Sequence, residues 1–320
     1  MMDYTPPALL RGGHLQSILP ARLSAAPSPQ FMRERWELDD GDFIDADWLH
    51  PRTIEDKSST KLLVLFHGLE GSSQSHYGRS IGAHFQQLGW RVVIPNFRGC
   101  SGEPNRLLRA YHSGDGDEIG RLLSRVHQQY PNSPLYAAGV SLGGNALLCY
   151  LSQANSNIPL ISAAAVCAPL DLGRCGEAIT QGFSNVYTSI FMSTLRAKSI
   201  EKRTRFPKGC DWDAVLAAKN LAQFDDAFTA PVHGYLNTAD FYARASAKPK
   251  LRTITLKTLL LNALNDPFVP QDIVENLVLS PSITQHLTAQ GGHVGYAEGS
   301  GYGQLTWLPR RLEQWFTQGV

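Results

Sequence analysis

Cysteine is sparse and unpatterned in this chain. Five occur, Cys100, Cys149, Cys167, Cys175 and Cys210, an odd number at wide spacing with no C-x-x-C pair. This argues against a disulfide framework or a cysteine zinc site, and fits buried reduced thiols in a cytoplasmic protein. Charge is also thin. Charged residues make up 18% of the 320 and the net charge is +1, with no long basic or acidic run. Nothing there resembles an electrostatic footprint for nucleic acid. No apolar stretch is long enough to span a bilayer, and Met1 to Pro20 lacks the basic start and apolar run of a signal peptide. There is no H-E-x-x-H, and no G-x-G-x-x-G follows the first of the parallel strands. Neither a metal nor a dinucleotide cofactor is therefore expected.

What is present is a core. Hydrophobic residues form 43% of the chain, enough for one large domain. The first thirty residues are rich in Pro, Ala and Ser, lack a clear period, and read as an arm on the domain surface. Residues 31–50 read as a hairpin turning at Asp40-Gly41, and 51–60 as a polar loop. Short apolar runs then alternate with helical stretches. The runs are Leu62–Phe66, Arg91–Pro95, Pro134–Val140, Ile161–Ala168, Leu256–Ala263 and Ile283–Ala289. Helices are expected near 76–88, 115–130, 143–154, 271–279 and 303–317. This rhythm predicts an α/β fold with a mostly parallel sheet flanked by helices. Residues 172–250 break it with a helical, aromatic segment that reads as an inserted lid. The expected division is an arm at 1–30, a core of 31–171 and 251–320, and the lid at 172–250.

Gly139-Val140-Ser141-Leu142-Gly143 is a G-x-S-x-G string, weak by itself. Its context is stronger, because a strand precedes it and the apolar helix of 146–151 follows. That is the nucleophile elbow of the α/β-hydrolase fold, whose crowded turn excludes bulk two residues either side of the serine. A serine hydroxyl needs a base in contact, and the base needs an orienting carboxylate. In this fold they follow in the order Ser, acid, His. Three histidines stand after Ser141: His233 in the lid, His286 inside a strand run, and His293 on the loop Gly291-Gly292-His293-Val294-Gly295. His293 is the expected base. Asp266, just beyond the apolar run 259–263, is the expected acid, with Asp171 as its rival. The oxyanion of acyl transfer needs backbone donors, and Leu142 N–H and Leu69 N–H, in His67-Gly68-Leu69-Glu70-Gly71, are the candidates. His67 then packs beneath its loop.

These strings together resemble the AB hydrolase-4 family, the YheT-like esterases. The resemblance runs nearly end to end. It rests on Gly12-Gly13-His14-Leu15-Gln16-Ser17-Ile18, the 67–71 loop, Asn96-Phe97-Arg98-Gly99-Cys100-Ser101-Gly102, Tyr111-His112-Ser113-Gly114, and Gly139 to Asn145. It implies a nucleophile at Ser141, an acid at Asp266, a base at His293, and hydrolysis of a small-molecule carboxylic ester or lipid. Outside the triad, His14 is expected to pin the arm, Arg98 to be tied to carbonyls or an Asp, and Asp115, Asp117 and Glu118 to serve a helix start. The aromatic lid suggests an apolar acyl or alcohol moiety. Acyl transfer or lipid hydrolysis by the same triad, and a non-catalytic binding protein on this fold, are the competing readings. The oligomeric state is left open.

Overall fold

The computed structural model describes residues 2–51, 59–153 and 158–318. Residues 52–58 of the expected polar loop lie outside the described residues. Eight strands form one sheet in the order β1-β2-β4-β3-β5-β6-β7-β8. The hairpin is β1 (Met32–Glu37) with β2 (Phe43–Leu49), and β2 continues antiparallel onto β4 (Arg91–Asn96). The remaining pairs are parallel and involve β3 (Leu62–Phe66), β5 (Leu135–Val140), β6 (Leu160–Val166), β7 (Thr258–Ala263) and β8 (Ile283–Thr288).

The central strands read as unbroken apolar runs because both faces are covered. Leu62, Val64 and Phe66 of β3 join a core containing Ile119, Leu122 and Leu147. Leu63 and Leu65 point the other way, toward Ile81, Phe85 and Phe316. The first layer is built from α3 (Gly116–Gln129) and α4 (Leu142–Leu151), the second from α2 (His76–Gln87) and α12 (Trp307–Thr317). Each fully buried Leu or Phe contributes about 1.5–3 kcal/mol relative to exposure.

Chain order reverses around β3, which has β4 on one side and β5 on the other. Ligands of such sheets bind in the crevice beyond the carboxyl ends of the strands at the reversal. Phe66 faces Gly139 across the β3–β5 pair. The loops leaving those two strands, 67–71 and the turn at Ser141, therefore start side by side.

Two elements differ from expectation. The arm contains a helix, α1 (Gly13–Leu23), despite Pro20 within it and no acidic residue in its first turn. Its buried residues are Gln16 and Pro20, so polar contacts to other loops hold it where sequence periodicity gives no sign of it. The helix expected at 271–279 stops early, as α11 (Gln271–Glu275), because Leu277 and Leu279 turn back to pack on the core.

Between β6 and β7 the chain forms α5 (Leu172–Ala178), α6 (Asn185–Arg205), α7 (Trp212–Ala217), α8 (Leu221–Phe224), a π-helical turn at Asp225–Thr229, α9 (Ala230–Val232) and α10 (Thr238–Ala245). Met192, Trp212, Val215 and Phe228 give this segment a small core of its own. Its two ends meet at a neck, where Lys248 N–H donates to Leu170 O at 2.9 Å and Leu172 N–H to Ser246 Oγ at 3.0 Å. The buried Asn145 of α4 secures the neck. Its amide donates to Ser113 O and Ala245 O, both at 2.8 Å, and accepts Ala247 N–H at 3.0 Å.

Candidate active site

Ser141 sits between β5 and α4 with φ 52° and ψ −120°, a backbone region that costs a non-glycine residue strain. The neighbouring glycines make that turn possible. A Cβ on Gly139 would lie 2.4 Å from Gly143 O, and one on Gly143 would lie 2.5 Å from His67 O. The turn is thus wedged between its own helix and the end of β3, with the Ser141 hydroxyl left at the rim.

His293 Nε2 lies 2.9 Å from Ser141 Oγ, and His293 Nδ1 lies 2.8 Å from Asp266 Oδ2. The Asp266 side chain is fully buried and that of His293 is 11% exposed. Asp266 Oδ1 accepts the Phe268 N–H at 2.8 Å, which fixes the carboxylate plane. The Phe268 ring stacks on the imidazole with centroids 4.1 Å apart and planes 20° from parallel. An imidazole held at Nδ1 by a carboxylate presents Nε2 as the acceptor for a hydroxyl proton.

The structure thus brings together the three residues that sequence order selects. The alternatives lie elsewhere. Asp171 caps α5 by accepting Arg174 N–H at 3.2 Å. His286 accepts from Arg311 Nε at 2.9 Å, and burial pushes its pKa down to about 4. His233 lies 2.7 Å from Thr229 O and 2.8 Å from Ala110 O within the helical segment.

The 67–71 loop lies against the serine, since a Cβ on Gly68 would be 3.1 Å from Ser141 Cβ. Its amides are mostly occupied. Gly68 N–H donates to Tyr77 OH at 2.8 Å, Glu70 N–H to Tyr111 OH at 2.7 Å, and Gly71 N–H to Gly68 O at 3.0 Å. Among the described residues, Leu69 N–H and Leu142 N–H have no partner. Leu142 N–H is free because it opens a helix, where the first amides lack intrahelical acceptors.

Leu69 N–H is free for a different reason, traceable to His67. That ring is fully buried, with its pKa pushed down to about 4 by desolvation, so it is neutral. Nε2 accepts the Phe97 N–H at 2.9 Å, which makes Nδ1 the protonated nitrogen. Nδ1–H then donates to Gly68 O at 2.8 Å. In a trans peptide the following N–H points opposite to that carbonyl. Pinning Gly68 C=O therefore aims Leu69 N–H the other way.

Sequence reasoning missed most of what holds the loops of Asp266 and His293. Gln16 of α1 is 1% exposed. Its Oε1 accepts Gly291 N–H at 2.7 Å and Asn265 Nδ2 at 2.9 Å. Its Nε2 donates to Leu10 O and Gln290 Oε1, both at 2.8 Å. Ser17 Oγ accepts the His293 N–H at 2.8 Å. The approach is close, since a Cβ on Gly13 would fall 1.9 Å from Asn265 O and one on Gly295 1.7 Å from Gln16 O. The Gly-Gly-His-Leu-Gln-Ser string carries this signal, though not its partners. His14 packs against Tyr187 and Phe183 of the helical segment. Arg98 is buried and pairs with Asp42 at 2.9 Å, Glu118 at 2.7 Å and Asp40 at 2.8 Å, tying the hairpin to α3. Glu118 thus serves that pair, while Asp115 caps α3 by accepting its N–H at 3.1 Å.

Cys167 Sγ, an Asp266 oxygen and a His293 nitrogen lie within 4.8 Å of one another, the one such metal-like grouping among the described residues. Burial, then the nearby Asp266, raises the Cys167 pKa well above its ordinary value. A neutral thiol is a poor ligand, and Asp266 and His293 are already joined to each other. A cavity of about 890 Å³ opens above Ser141 and His293, walled by Leu172, Ile179, Tyr187, Phe191, Phe224 and Phe228.

A reversal-point crevice, a strained serine turn and a buried carboxylate–imidazole–hydroxyl chain are the marks of an α/β-hydrolase. The chain belongs to that family: the profile described as alpha/beta hydrolase fold matches residues 61–300. It falls among the YheT-like members. It is 36% identical over 321 residues to YheT of Escherichia coli, an esterase by name, covering 98% of this chain and 93% of that protein. Human phospholipase ABHD3 is 31% identical over 323 residues, covering 99% of this chain and 79% of its own. Among solved structures, an esterase of Pyrococcus furiosus matches with a TM-score of 0.55 at 14% identity, covering 99% of both chains. That last likeness speaks to the fold. No helix among the described residues is long and apolar enough to cross a membrane.

Proposed function

We propose that the protein is a serine hydrolase of carboxylic esters with an apolar acyl or alcohol part. The observation that carries this reading is the continuous chain from Asp266 through His293 to Ser141 Oγ, with contacts of 2.8 and 2.9 Å. As Oγ attacks the ester carbonyl, His293 Nε2 takes its proton and Asp266 stabilises the resulting imidazolium. The carbonyl oxygen becomes an oxyanion that Leu69 N–H and Leu142 N–H bind. Collapse of this intermediate breaks the C–O bond, and His293 returns the proton to the departing alcohol. Water, deprotonated by His293, then attacks the acyl-enzyme. The acid leaves and Ser141 regains its proton.

The apolar cavity walls suit a hydrocarbon moiety better than a peptide or sugar. The segment 172–250 acts as the lid over this cavity. The sequence relatives named esterase and phospholipase support ester hydrolysis as the reaction class.

The test is Ser141→Ala beside wild type on p-nitrophenyl esters of increasing chain length. Turnover should fall by at least about 10³-fold, with residual rate from binding and the oxyanion donors alone. A fluorophosphonate should label the wild type and not the variant. Equal turnover by the two proteins sinks the assignment.

A further inference from the structure

Ile18 and Arg22 of α1 and Val186 and Ile190 of α6 line the cavity, and the surface around them has an unusual composition. On α1, Leu15, Ile18 and Arg22 follow at helical spacing, so they share one face. Leu15 is 43% exposed, and Ile18 and Arg22 also line the cavity. Phe183, Val186 and Ile190 form a second stripe at the start of α6, exposed by 55%, 44% and 51%. The stripes adjoin, since the His14 ring lies 4.8 Å from that of Phe183 and Tyr187 OH is 3.3 Å from His14 Nδ1.

The two segments that carry these stripes hold no acid. No acidic residue occurs between Asp3 and Glu34, nor between Glu177 and Glu201. Arg196 and Lys198 of α6 are engaged, with the Leu216 and Ala218 carbonyls and with Glu70 respectively. Arg11 donates to Ala8 O, and neither Arg11 nor Arg22 has an ion pair among the described residues. The apolar stripes are thus accompanied by two guanidinium groups without ion pairs, Arg22 on the α1 stripe and Arg11 two residues before that helix, on a protein whose overall charge is only +1.

We propose that the α1–α6 face docks on an anionic lipid bilayer and takes ester substrate from it directly into the cavity. Exposed apolar side chains partition into the headgroup–acyl boundary, and cations beside them are drawn to an anionic leaflet. Two features favour a bilayer over a second protein chain. The apolar rim is continuous with the cavity wall, so acyl chains could pass inward without crossing water. Arg22 stands on the α1 stripe beside the cavity and Arg11 just before the helix, so both can meet phosphate groups. The substrate clause rests on the ester-hydrolase reading, while the docking clause does not.

The test is co-sedimentation of the full chain with vesicles of phosphatidylglycerol and, separately, phosphatidylcholine. Wild type and Ser141→Ala should both bind the anionic vesicles and bind neutral ones far less. Added salt should weaken binding. Arg11→Gln should lower vesicle affinity about fivefold, since one basic residue near an anionic surface is worth about that. Leu15→Ser with Phe183→Ser should lower it further. Val278→Ser, equally apolar and 75% exposed but on the connection leading into β8, should not. Melting curves check that each variant is folded, and Leu15→Ser alone serves if the pair is not. Turnover of a soluble short-chain ester by Arg11→Gln and Leu15→Ser should stay at the wild-type level.

Equal binding to both vesicle types overturns the proposal, as does binding that none of these substitutions weakens. So does a wild-type dimer that Leu15→Ser dissociates, because the face would then be covered by a second copy. Binding to anionic vesicles without hydrolysis of their esters would leave docking intact and refute the substrate reading instead.

Discussion

Gln16 accepts the backbone N–H of Gly291 at 2.7 Å, across 275 residues of sequence, while the same oxygen accepts Asn265 Nδ2 at 2.9 Å. One buried carboxamide therefore joins the loop that carries Asp266 to the loop that carries His293. Gln16→Ala should leave several buried groups unpaired and cost about 1–3 kcal/mol. The proposed chemistry should suffer more than substrate binding, because the Asp266–His293 geometry loosens while the cavity wall persists. A fall in kcat with KM nearly unchanged, measured on a protein whose melting curve is still cooperative, is the expected result. Gln16→Glu keeps the acceptor and loses the donor, so it should fall between the two. A wild-type kcat in Gln16→Ala refutes the positioning role.

His67 gives a second prediction. Its neutral ring pins Gly68 C=O and so orients Leu69 N–H. His67→Ala leaves the Phe97 N–H buried without a partner and frees that peptide plane to rotate. Losing one donor of the proposed oxyanion site should lower kcat about 10²-fold. Steady-state kinetics together with urea melts separate this from unfolding, and an unchanged kcat in the folded variant contradicts the peptide-plane argument.

Stability should fall on mild acidification. Burial pushes the pKa values of His67 and His76 down to about 4 and that of His112 to about 3. In the unfolded chain a histidine titrates near its ordinary value of about 6.5. The folded values are the lower ones, so the unfolded state binds more protons below that pH. The stability these rings contribute is complete above about pH 6.5 and is lost as pH falls toward 4, at about 2 kcal/mol per ring by pH 5. The urea midpoint should drop between pH 7 and pH 5, and His76→Gln should make that drop smaller.

Asp225 has the opposite sign. It sits in the π-helical turn, accepts from Thr229 Oγ1 at 2.6 Å and Tyr242 OH at 2.9 Å, and burial raises its pKa to about 6. Its contribution is full below the unfolded value and is lost as pH rises through about 6. Asp225→Asn keeps an acceptor for one hydroxyl, turns its NH2 toward the other, which can accept from it, and carries no charge. It should gain about 2 kcal/mol at pH 7.5 and almost nothing at pH 4. Thermal melts at the two pH values provide the check, and an equal gain at both refutes the burial argument.

Much of the site was legible because its parts obey local rules. Strands covered on both faces carry unbroken apolar runs, which is why β3 was expected at Leu62–Phe66 and occurs there. Gly139 and Gly143 mark a turn that no side chain fits, and chain order then picks one acid and one base. What stayed hidden depends on contacts between distant segments. Periodicity does not reveal α1, whose inward residue is a glutamine paired with residues some 250 or more positions away. Nor does spacing reveal that Phe268 would stack on His293, or that Asn145 would hold the neck of the helical segment. Such roles come from packing, where a polar side chain is buried only because its partners arrive from elsewhere.

The placement of α1 also bears on when the enzyme comes to life. This helix leaves the ribosome some 250 residues before the backbone of 265 and 290–292 against which it closes. Until that stretch emerges, Gln16 and Ser17 have nothing to grip, and Asp266 and His293 do not yet exist as chain. A nascent polypeptide would thus carry α1 unanchored until residues 265–293 have been made, and gain hydrolytic power only then. Anchoring of the helix and the onset of activity are thereby set by the same closure.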